Sequence, residues 1–463
     1  MAWKPFLMSL FSATLLSATF GKDVAEQPVW ERLYPNGSVF PFGSYSVEAK
    51  ENMAAVRADG FNFIQTYGTQ PVEWVRMAAE AGLGVAVRVG PSLKKDDRDI
   101  AEPFNKDVHL KAFVEDFNHY KDEPNIACWS LPEEQRWWRE SEMTLVKEYA
   151  SYVHNNDLRK RPVYMYLPGH YGIQDLVRYV PHLDWLNKGA YTVYAGRDTC
   201  RAWVGKEIDD LTAALQLGSQ PWPIRGAKGR MPMAVLELFS DFPKYQPDLR
   251  LNARKAYHDT YASIVAGAKG VFVLSHWHRK ETDSAYDGFK RAAGEIAAGL
   301  GEIIVAGSPR DDLSVEIIQG PEEIPADIPQ LTVTDDSYSA GPTPPMRPSV
   351  RYAVWDHAGT TTLIAVNSAN VPVRARMRLP YPSLASVECP YEKRTVKGNA
   401  GVFEDNFEPL GVHIYRMPCF RLDFAGARRA YLRGETIDAR MALSVPAGFD
   451  GSTLKVTMAF PGL

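Results

Sequence analysis

The chain has 463 residues, of which 45% are hydrophobic and 23% are charged, a balance typical of a globular protein with two or three domains. The formal net charge is -4, so there is no basic field of the kind that attracts nucleic acids or anionic membranes. Composition therefore argues against both classes of partner.

The N-terminal residues have the pattern of an export signal. Lys4 supplies positive charge, and the stretch from Phe6 to Phe20 is apolar and rich in small residues. This stretch is shorter than the ~20 apolar residues that a membrane-spanning helix needs, and no second such stretch follows. Residues 1–21 are predicted to be a signal peptide, and the mature protein is expected to be secreted or periplasmic, without a membrane span.

From Val39 to Leu300, short apolar runs alternate with amphipathic stretches, as expected for parallel strands joined by crossover helices. Eight such repeats predict an α/β protein built on a (β/α)8 TIM barrel. A doubly wound sheet is the alternative, but residues 42–46 lack the Gly-rich turn that would follow its first strand. The predicted strands are 39–44, 61–66, 84–89, 126–131, 163–167, 185–191, 233–238 and 271–274.

Four of the crossover helices can be placed from their end signals and periodicity. The first is expected from Val47 with Ser46 as its N-cap, and the second is expected to begin at Pro71. Two more are predicted over residues 107–120 and 287–300.

Beyond Leu300 the pattern changes. Residues 321–348 are rich in Pro, Asp and Glu, which is typical of a linker or an irregular loop. Alternating runs then predict a small antiparallel β-sandwich domain. The runs are 350–355, 361–366, 371–379 and 411–416. The expected domains are the barrel at 22–302, the β-sandwich at 303–418, and an extra β segment or the start of a further β module at 419–463.

In a TIM barrel the chemistry lies at the carboxyl ends of the strands, and two of these ends carry glutamates. Glu133 and Glu134 follow the fourth strand, and Glu237 lies at the end of the seventh. Hydrolysis of a glycosidic bond needs one carboxylic acid to protonate the leaving oxygen and a second carboxylate to attack the sugar or activate water. The fourth and seventh strands lie on nearly opposite sides of a barrel, so these side chains can face one another.

The segments 125–135 and 233–238 resemble the fourth-strand and seventh-strand signatures of clan A glycoside hydrolases, the cellulase and β-galactosidase type of barrel. This resemblance implies that Glu134 is the acid/base and Glu237 the nucleophile. Two positions depart from the family pattern: Gln135 replaces a Pro, and Glu133 replaces an Asn or Asp that contacts the sugar 2-hydroxyl. The second departure leaves open that Glu133 itself is the acid.

The resemblance implies a secreted glycoside hydrolase of the retaining type that cleaves an oligo- or polysaccharide without a cofactor. Other residues at the strand ends are candidates for substrate contacts. Trp277 could form the floor of a sugar subsite, and Arg88 could grip an acidic group. The remaining candidates are Tyr67, His170, Tyr191, Tyr194 and His276.

Two alternatives stay open. The altered Glu-Glu-Gln signature at residues 133–135 permits a barrel that binds carbohydrate without catalysis. His276 and His278 are spaced as neighbours on one strand face, which permits a metal-dependent hydrolase. Amidohydrolase barrels, however, carry a His-x-His pair on the first strand, where this chain has none. We therefore expect no metal.

Overall fold

The computed structural model describes residues 28–66, 68, 70–93, 102–218, 230–239, 251–276, 283–328, 343–379, 386–418, 421–425 and 440–444. The predicted signal peptide lies outside these residues.

Eight parallel strands form a closed barrel in which each strand neighbours the next in sequence. The eighth strand closes the ring by pairing with the first, with Val271 opposite Phe42. The strands are β1 (Phe42–Tyr45), β2 (Phe63–Gln65), β3 (Gly84–Arg88), β4 (Ile126–Ser130), β5 (Val163–Tyr164), β6 (Trp185–Ala190), β7 (Met231–Glu237) and β8 (Val271–Leu274). The predicted barrel is confirmed.

The fifth strand is shorter than the predicted 163–167 because a side chain replaces its ladder partner. The Asn187 amide accepts a hydrogen bond from the Leu167 N–H at 3.2 Å and donates one to the Met165 carbonyl. The backbone beyond Tyr164 is therefore satisfied without strand pairing.

Helices surround the barrel and fill its crossovers. They are α1 (Val29–Arg32), α2 (Lys50–Ala58), α3 (Val72–Glu80), α4 (Lys111–Tyr120), α5 (Glu140–Asn156), α6 (Ile173–Val177), α7 (Ala202–Gly218), α8 (Ala253–Val265), α9 (Asp283–Glu295) and α10 (Gly301–Ala306). In the described ranges, no helix is both long and apolar enough to cross a membrane.

Several predicted helix ends were wrong. The helix expected from Val47 begins at Lys50, and Ser46 cannot cap it because its φ of 62° turns the chain in the left-handed region. The helix expected over 107–120 starts as a wider π turn at Lys106–Leu110 before α4. The helix expected over 287–300 begins earlier, as α9, and ends in a second π turn at Ile296–Leu300.

The barrel has two apolar cores, one inside the ring of strands and one between the strands and the surrounding helices. Phe63, Trp185 and Phe272 fill the inner core together with Val29 and Leu33 from the N-terminal segment. A Cβ atom on Gly84, the first residue of β3, would lie 2.5 Å from Val29 Cγ1. Glycine at this position therefore lets α1 seal the amino end of the barrel.

The second region is one nine-stranded antiparallel sheet, in the order β10-β15-β18-β17-β16-β19-β14-β13-β9. Side chains from both halves of the sheet share one core, including Leu313, Val354, Phe403 and Tyr415, so the sheet curls into a sandwich-like layer. The predicted fold class is thus confirmed. The strands are β9 (Ser308–Arg310), β10 (Ser314–Gln319), β13 (Val350–His357), β14 (Thr360–Asn367), β15 (Val373–Arg378), β16 (Ser386–Cys389), β17 (Arg394–Asn399), β18 (Val402–Phe407) and β19 (Val412–Pro418).

Two short hairpin-like pairs complete the described strands. The Pro-rich segment expected to be a linker contains β11 (Glu323–Pro325) and β12 (Met346–Pro348), which pair antiparallel. Near the C-terminus, β20 (Arg421–Ala425) pairs with β21 (Arg440–Ser444). The boundaries proposed at 302 and 418 stay predictions.

The sheet packs directly on the barrel's helices. Ile364, Val366, Val412 and Ile414 belong to the same buried cluster as the barrel's outer core. Helix α8 contacts β13, β14 and β19. This shared apolar layer braces the side of the barrel that carries β7 and β8.

Candidate active site at the carboxyl end of the barrel

The strand register brings the polar strand ends to one edge of the barrel. Tyr45 pairs with Gln65 at the ends of β1 and β2, and Arg88 pairs with Ser130 at the ends of β3 and β4. Glu237 ends β7, where it pairs with Leu274. The sequence-predicted residues at these strand ends therefore share the carboxyl face, as a parallel barrel requires.

Glu237 is held by the loop that follows β6. Its side chain is almost wholly buried, with the residue 4% exposed. Oε2 accepts a hydrogen bond from the Val193 N–H at 2.8 Å, and Oε1 accepts one from the Tyr194 N–H at 3.0 Å. Two backbone donors thus fix the position and orientation of the carboxyl group.

Burial raises the pKa of Glu237 to about 8, since a buried carboxylate loses the solvation of its charge. The N–H groups of Val193 and Tyr194 and the charge of Arg201 act in the opposite direction, while Asp259 adds to the rise. At neutral pH the folded protein therefore favours the protonated form of this side chain.

A buried ionic network lies behind Glu237. Arg201 pairs with both Asp259 and Asp198, and the Lys255 ammonium lies 2.6 Å from Asp198. His258 connects this network to the β-sheet region, with Nδ1 2.8 Å from Asp259 and Nε2 3.0 Å from the Ser368 hydroxyl.

The network also sets the charge state of Asp259. Burial raises the pKa of this carboxyl, but Arg201 and His258 outweigh burial and lower it overall. Asp259 therefore remains an anion beside the Arg201 cation.

The structure separates the two neighbouring glutamates after β4. Glu133 is half-buried and accepts a hydrogen bond from Gln65 Nε2 at 3.2 Å. Burial, and then the charges of its neighbours including Glu133, raise the pKa values of Tyr45 and Tyr164. These two tyrosines are buried in the barrel interior and share a hydrogen bond, so Glu133 lies at the barrel mouth above them.

Glu134 differs from Glu133 in its exposure and its backbone conformation. It is exposed, and its φ of 55° lies in the left-handed region, which a non-glycine residue adopts at a cost. Its N–H donates to the Tyr166 carbonyl at 3.0 Å. Its charge contributes, after burial, to the raised pKa of Tyr171, which lies in the loop after β5.

Gln135, the departure from the family's Pro, anchors this turn. It is buried, its Nε2 donates to the Glu133 carbonyl at 3.0 Å, and its own carbonyl accepts the Tyr179 hydroxyl at 2.6 Å. The amide side chain thus holds the backbone that presents Glu133.

Aromatic rings connect the two strand ends. Tyr191 stacks on Tyr166 with centroids 5.9 Å apart and meets Phe239 edge-on at 5.1 Å. Tyr191 also contributes to the raised pKa of Tyr45, after burial and the charges of Tyr164 and Glu133. Tyr194 is about half exposed and lies edge-on to Phe239. Tyr191, Tyr194 and Phe239 therefore form an aromatic group beside Glu237, whose carboxyl accepts the Tyr194 N–H.

Two other predicted residues contact aromatic side chains of neighbouring elements. His276 is buried and packs edge-on against Tyr286 of α9, a helix outside the barrel, which favours a packing role. His170 is partly exposed beside Tyr171. Tyr67, Trp277 and His278 lie outside the described residues.

Sequence reasoning missed Gln65 and the tyrosines Tyr45, Tyr164 and Tyr166. The sequence pattern could have indicated Tyr164 and Tyr166. Alternate residues of a barrel strand face the interior, and these two tyrosines occupy alternate positions of an otherwise apolar run. Within the described ranges, no group of three or more His, Cys, Asp or Glu side chains is arranged to hold a metal ion.

A comparison with protein-family models gives no match, and neither does a comparison with curated proteins. Solved structures do match. A GH27 β-L-arabinopyranosidase from Geobacillus stearothermophilus, in complex with arabinose, superposes with a TM-score of 0.50 at 10% identity, over 85% of this chain and 99% of that chain. An α-amylase from Anoxybacillus gives a TM-score of 0.50 at 10% identity, over 80% and 89% of the two chains.

At this identity the likeness concerns the fold. The chain has the barrel-and-sheet architecture of these glycoside hydrolases, which confirms the sequence-based resemblance at the level of the fold. The specific family is not identified.

Proposed function

We propose that this protein is a glycoside hydrolase that retains anomeric configuration and uses Glu133 and Glu237 as its carboxyl pair. The observation that carries the proposal is Glu237, a buried carboxyl fixed by two N–H donors at the end of β7. Buried ionisable groups with shifted pKa values concentrate at functional sites.

The roles within the pair follow from which carboxyl holds the proton. Burial raises the pKa of Glu237 to about 8, so it is protonated at neutral pH and suits the donor. Glu133 is less buried and accepts a hydrogen bond from Gln65, so it suits the attacking carboxylate. This assignment exchanges the roles implied by the resemblance, and it places Glu133 rather than Glu134 in the pair.

In the first step Glu133 attacks the anomeric carbon while Glu237 gives its proton to the departing glycosidic oxygen. This forms a glycosyl ester and the free alcohol. In the second step ionised Glu237 takes a proton from water, which attacks the anomeric carbon and releases Glu133. Two inversions give net retention.

The substrate class is supported by the aromatic lining of the mouth. Tyr191, Tyr194 and Phe239 present ring faces and edges at the carboxyl end, and such rings pack on the C–H faces of sugars. The structures with the same fold include one bound to arabinose and one described as an α-amylase. We infer an oligo- or polysaccharide substrate.

Export is part of the proposal, on the pattern of residues 1–21. N-terminal sequencing of protein recovered from a secreting host tests it, with cleavage near Gly21 as the expected result.

The activity test is a panel of aryl glycosides assayed with the full-length protein and two variants. We expect Glu237→Gln to lower kcat by about 10³-fold, since it removes the proton donor. Glu140→Gln is the matched control, because Glu140 is exposed at the start of α5, and it should retain full activity. If the protein binds oligosaccharides but hydrolyses none, it is instead a binding barrel.

Azide distinguishes the two roles. If Glu237 is the acid/base, azide attacks the covalent intermediate of the Glu237→Ala variant and gives a glycosyl azide of retained configuration. If Glu237 is the nucleophile, azide attacks the substrate directly and gives the inverted product. Proton NMR of the anomeric signal separates these outcomes, and the second would restore the roles implied by the resemblance.

A further inference from the structure

The amino end of the barrel holds a cavity of about 320 Å³, a size typical of small-molecule sites. It lies between α1, the turns that precede β2 and β3, and the junction of α9 with α10. Two arginines, Arg32 and Arg57, line it, together with Asn62, Gly60, Gly82 and Glu302.

The arginines have few partners. Arg32 Nε is buried and has no hydrogen-bond partner. Arg57 Nη1 makes one long hydrogen bond, at 3.4 Å to the Phe61 carbonyl. Across the part of the chain that the structure describes, neither guanidinium forms an ion pair.

Two other polar side chains of the lining are engaged. The Asn62 amide donates to the Phe40 carbonyl at 2.8 Å and accepts the Phe42 N–H at 3.0 Å. Glu302 lies 3.7 Å from His357, on the exposed side of α10. The guanidinium N–H groups of Arg32 and Arg57, with the hydroxyl of Ser38, which also lines the cavity, are therefore the side-chain donors that face a ligand.

The two cations also destabilise one another. Burial, and next the charge of Arg57, lower the pKa of Arg32, so the pair is close enough to interact. Arg32 is half-buried and Arg57 is exposed, so the desolvation cost falls on Arg32, and a bound anion would relieve both this cost and the repulsion between the two guanidinium groups.

We propose that this cavity binds a tetrahedral oxyanion, phosphate or sulfate, between Arg32 and Arg57. The planar guanidinium fork matches the oxygen spacing of such anions and forms strong, charge-assisted hydrogen bonds. The cavity exceeds the size of the bare ion, so a phosphate carried on a sugar also fits.

The test is calorimetric titration and thermal unfolding of the full-length protein with inorganic phosphate, with chloride as the reference at equal ionic strength. We expect phosphate to raise Tm. In Arg32→Gln and Arg57→Gln the Kd for phosphate should rise by about tenfold or more, which corresponds to the loss of one charge-assisted hydrogen bond. Arg76→Gln is the control, since Arg76 is an exposed arginine paired with Glu123, and it should respond as the wild type does.

Unfolding without phosphate gives a second, independent measurement. Arg32→Gln should melt at the same temperature as the wild type or higher, because it removes an uncompensated charge. A clearly lower Tm would show that Arg32 has a structural role and would overturn the proposal. Equal shifts with phosphate and chloride in all variants would show a general salt effect and would overturn it too.

Titration with glucose 1-phosphate separates the two sources of the oxyanion. Tighter binding than that of inorganic phosphate would support the site as one for an organic phosphate. Equal binding would support a site for the inorganic ion. None of these measurements depends on glycosidase activity.

Discussion

The ionisable side chains at the two ends of the barrel differ in the partners that they have. At the carboxyl end Glu237 and Arg201 have partners: both oxygens of Glu237 accept backbone N–H groups, and Arg201 lies between two aspartates. At the amino end Arg32 and Arg57 share a cavity in which no acidic partner reaches them among the described residues. A satisfied network holds a side chain in place, whereas an unsatisfied pair of cations is a place for a ligand to bind.

The largest expected effect at the carboxyl end separates Glu133 from Glu134. Glu133→Gln should lower kcat by about 10²- to 10⁴-fold, because it removes one of the two reacting carboxyl groups. Glu134→Gln should change kcat by less than about threefold, since this side chain is exposed. The reverse ranking in steady-state assays would place Glu134 instead of Glu133 in the reacting pair.

The second effect concerns the network behind Glu237. Arg201→Met should lower the free energy of unfolding by about 3–5 kcal/mol, because it leaves Asp198 and Asp259 buried with less compensation. Urea unfolding measures it. Arg76→Met, which removes a surface ion pair, should cost no more than about 1 kcal/mol. Similar losses in both variants would mean that the network is not organised as described.

The pH dependence of activity comes next. With Glu237 as proton donor, kcat/KM should fall as pH rises through about 8, by about tenfold per pH unit above it. The reason is that only the protonated form can donate. A rise in kcat/KM over the same range would identify Glu237 as the attacking carboxylate.

The last prediction concerns the pH dependence of stability. The pKa of Glu237 is raised from 4.5 to about 8, so between these values the folded protein holds a proton that the unfolded chain releases. This contribution to stability is full below about pH 4.5 and is lost as pH rises through about 8. Tm should therefore fall over this window more steeply in the wild type than in Glu237→Gln. Parallel curves would show that Glu237 is ionised when folded.

Much of the barrel could be read from the sequence because its strands are buried apolar runs of regular spacing. Val271–Leu274 is such a run, and its predicted and observed limits agree. The sheet region was harder to predict. Strand β17, Arg394–Asn399, alternates between half-buried and exposed positions and contains little apolar side chain, so nothing in its pattern marks a strand. Its pairing with β16 decides its structure.

For the candidate site, the sequence indicated which carboxyl side chains lie at the strand ends, but not which of them is buried and which is exposed. The pattern of strand ends predicted Glu133, Glu134 and Glu237 as candidate carboxyl groups, and their roles stay predictions. The choice between Glu133 and Glu134 depends on a left-handed turn at Glu134, which no local residue preference indicates. The pKa of Glu237 likewise depends on burial by a loop that is more than forty positions earlier in the chain.

The hydrogen bond of Ser368 makes the surroundings of the barrel site depend on the β-sheet region. This hydroxyl, in the turn after β14, is the last member of a chain of contacts through His258, Asp259 and Arg201 to the surroundings of Glu237. A barrel of this lineage joined to a foreign sheet would lose that hydrogen bond unless the new sheet offered a hydroxyl at the same point. Selection is therefore expected to act on the two regions as one inherited unit.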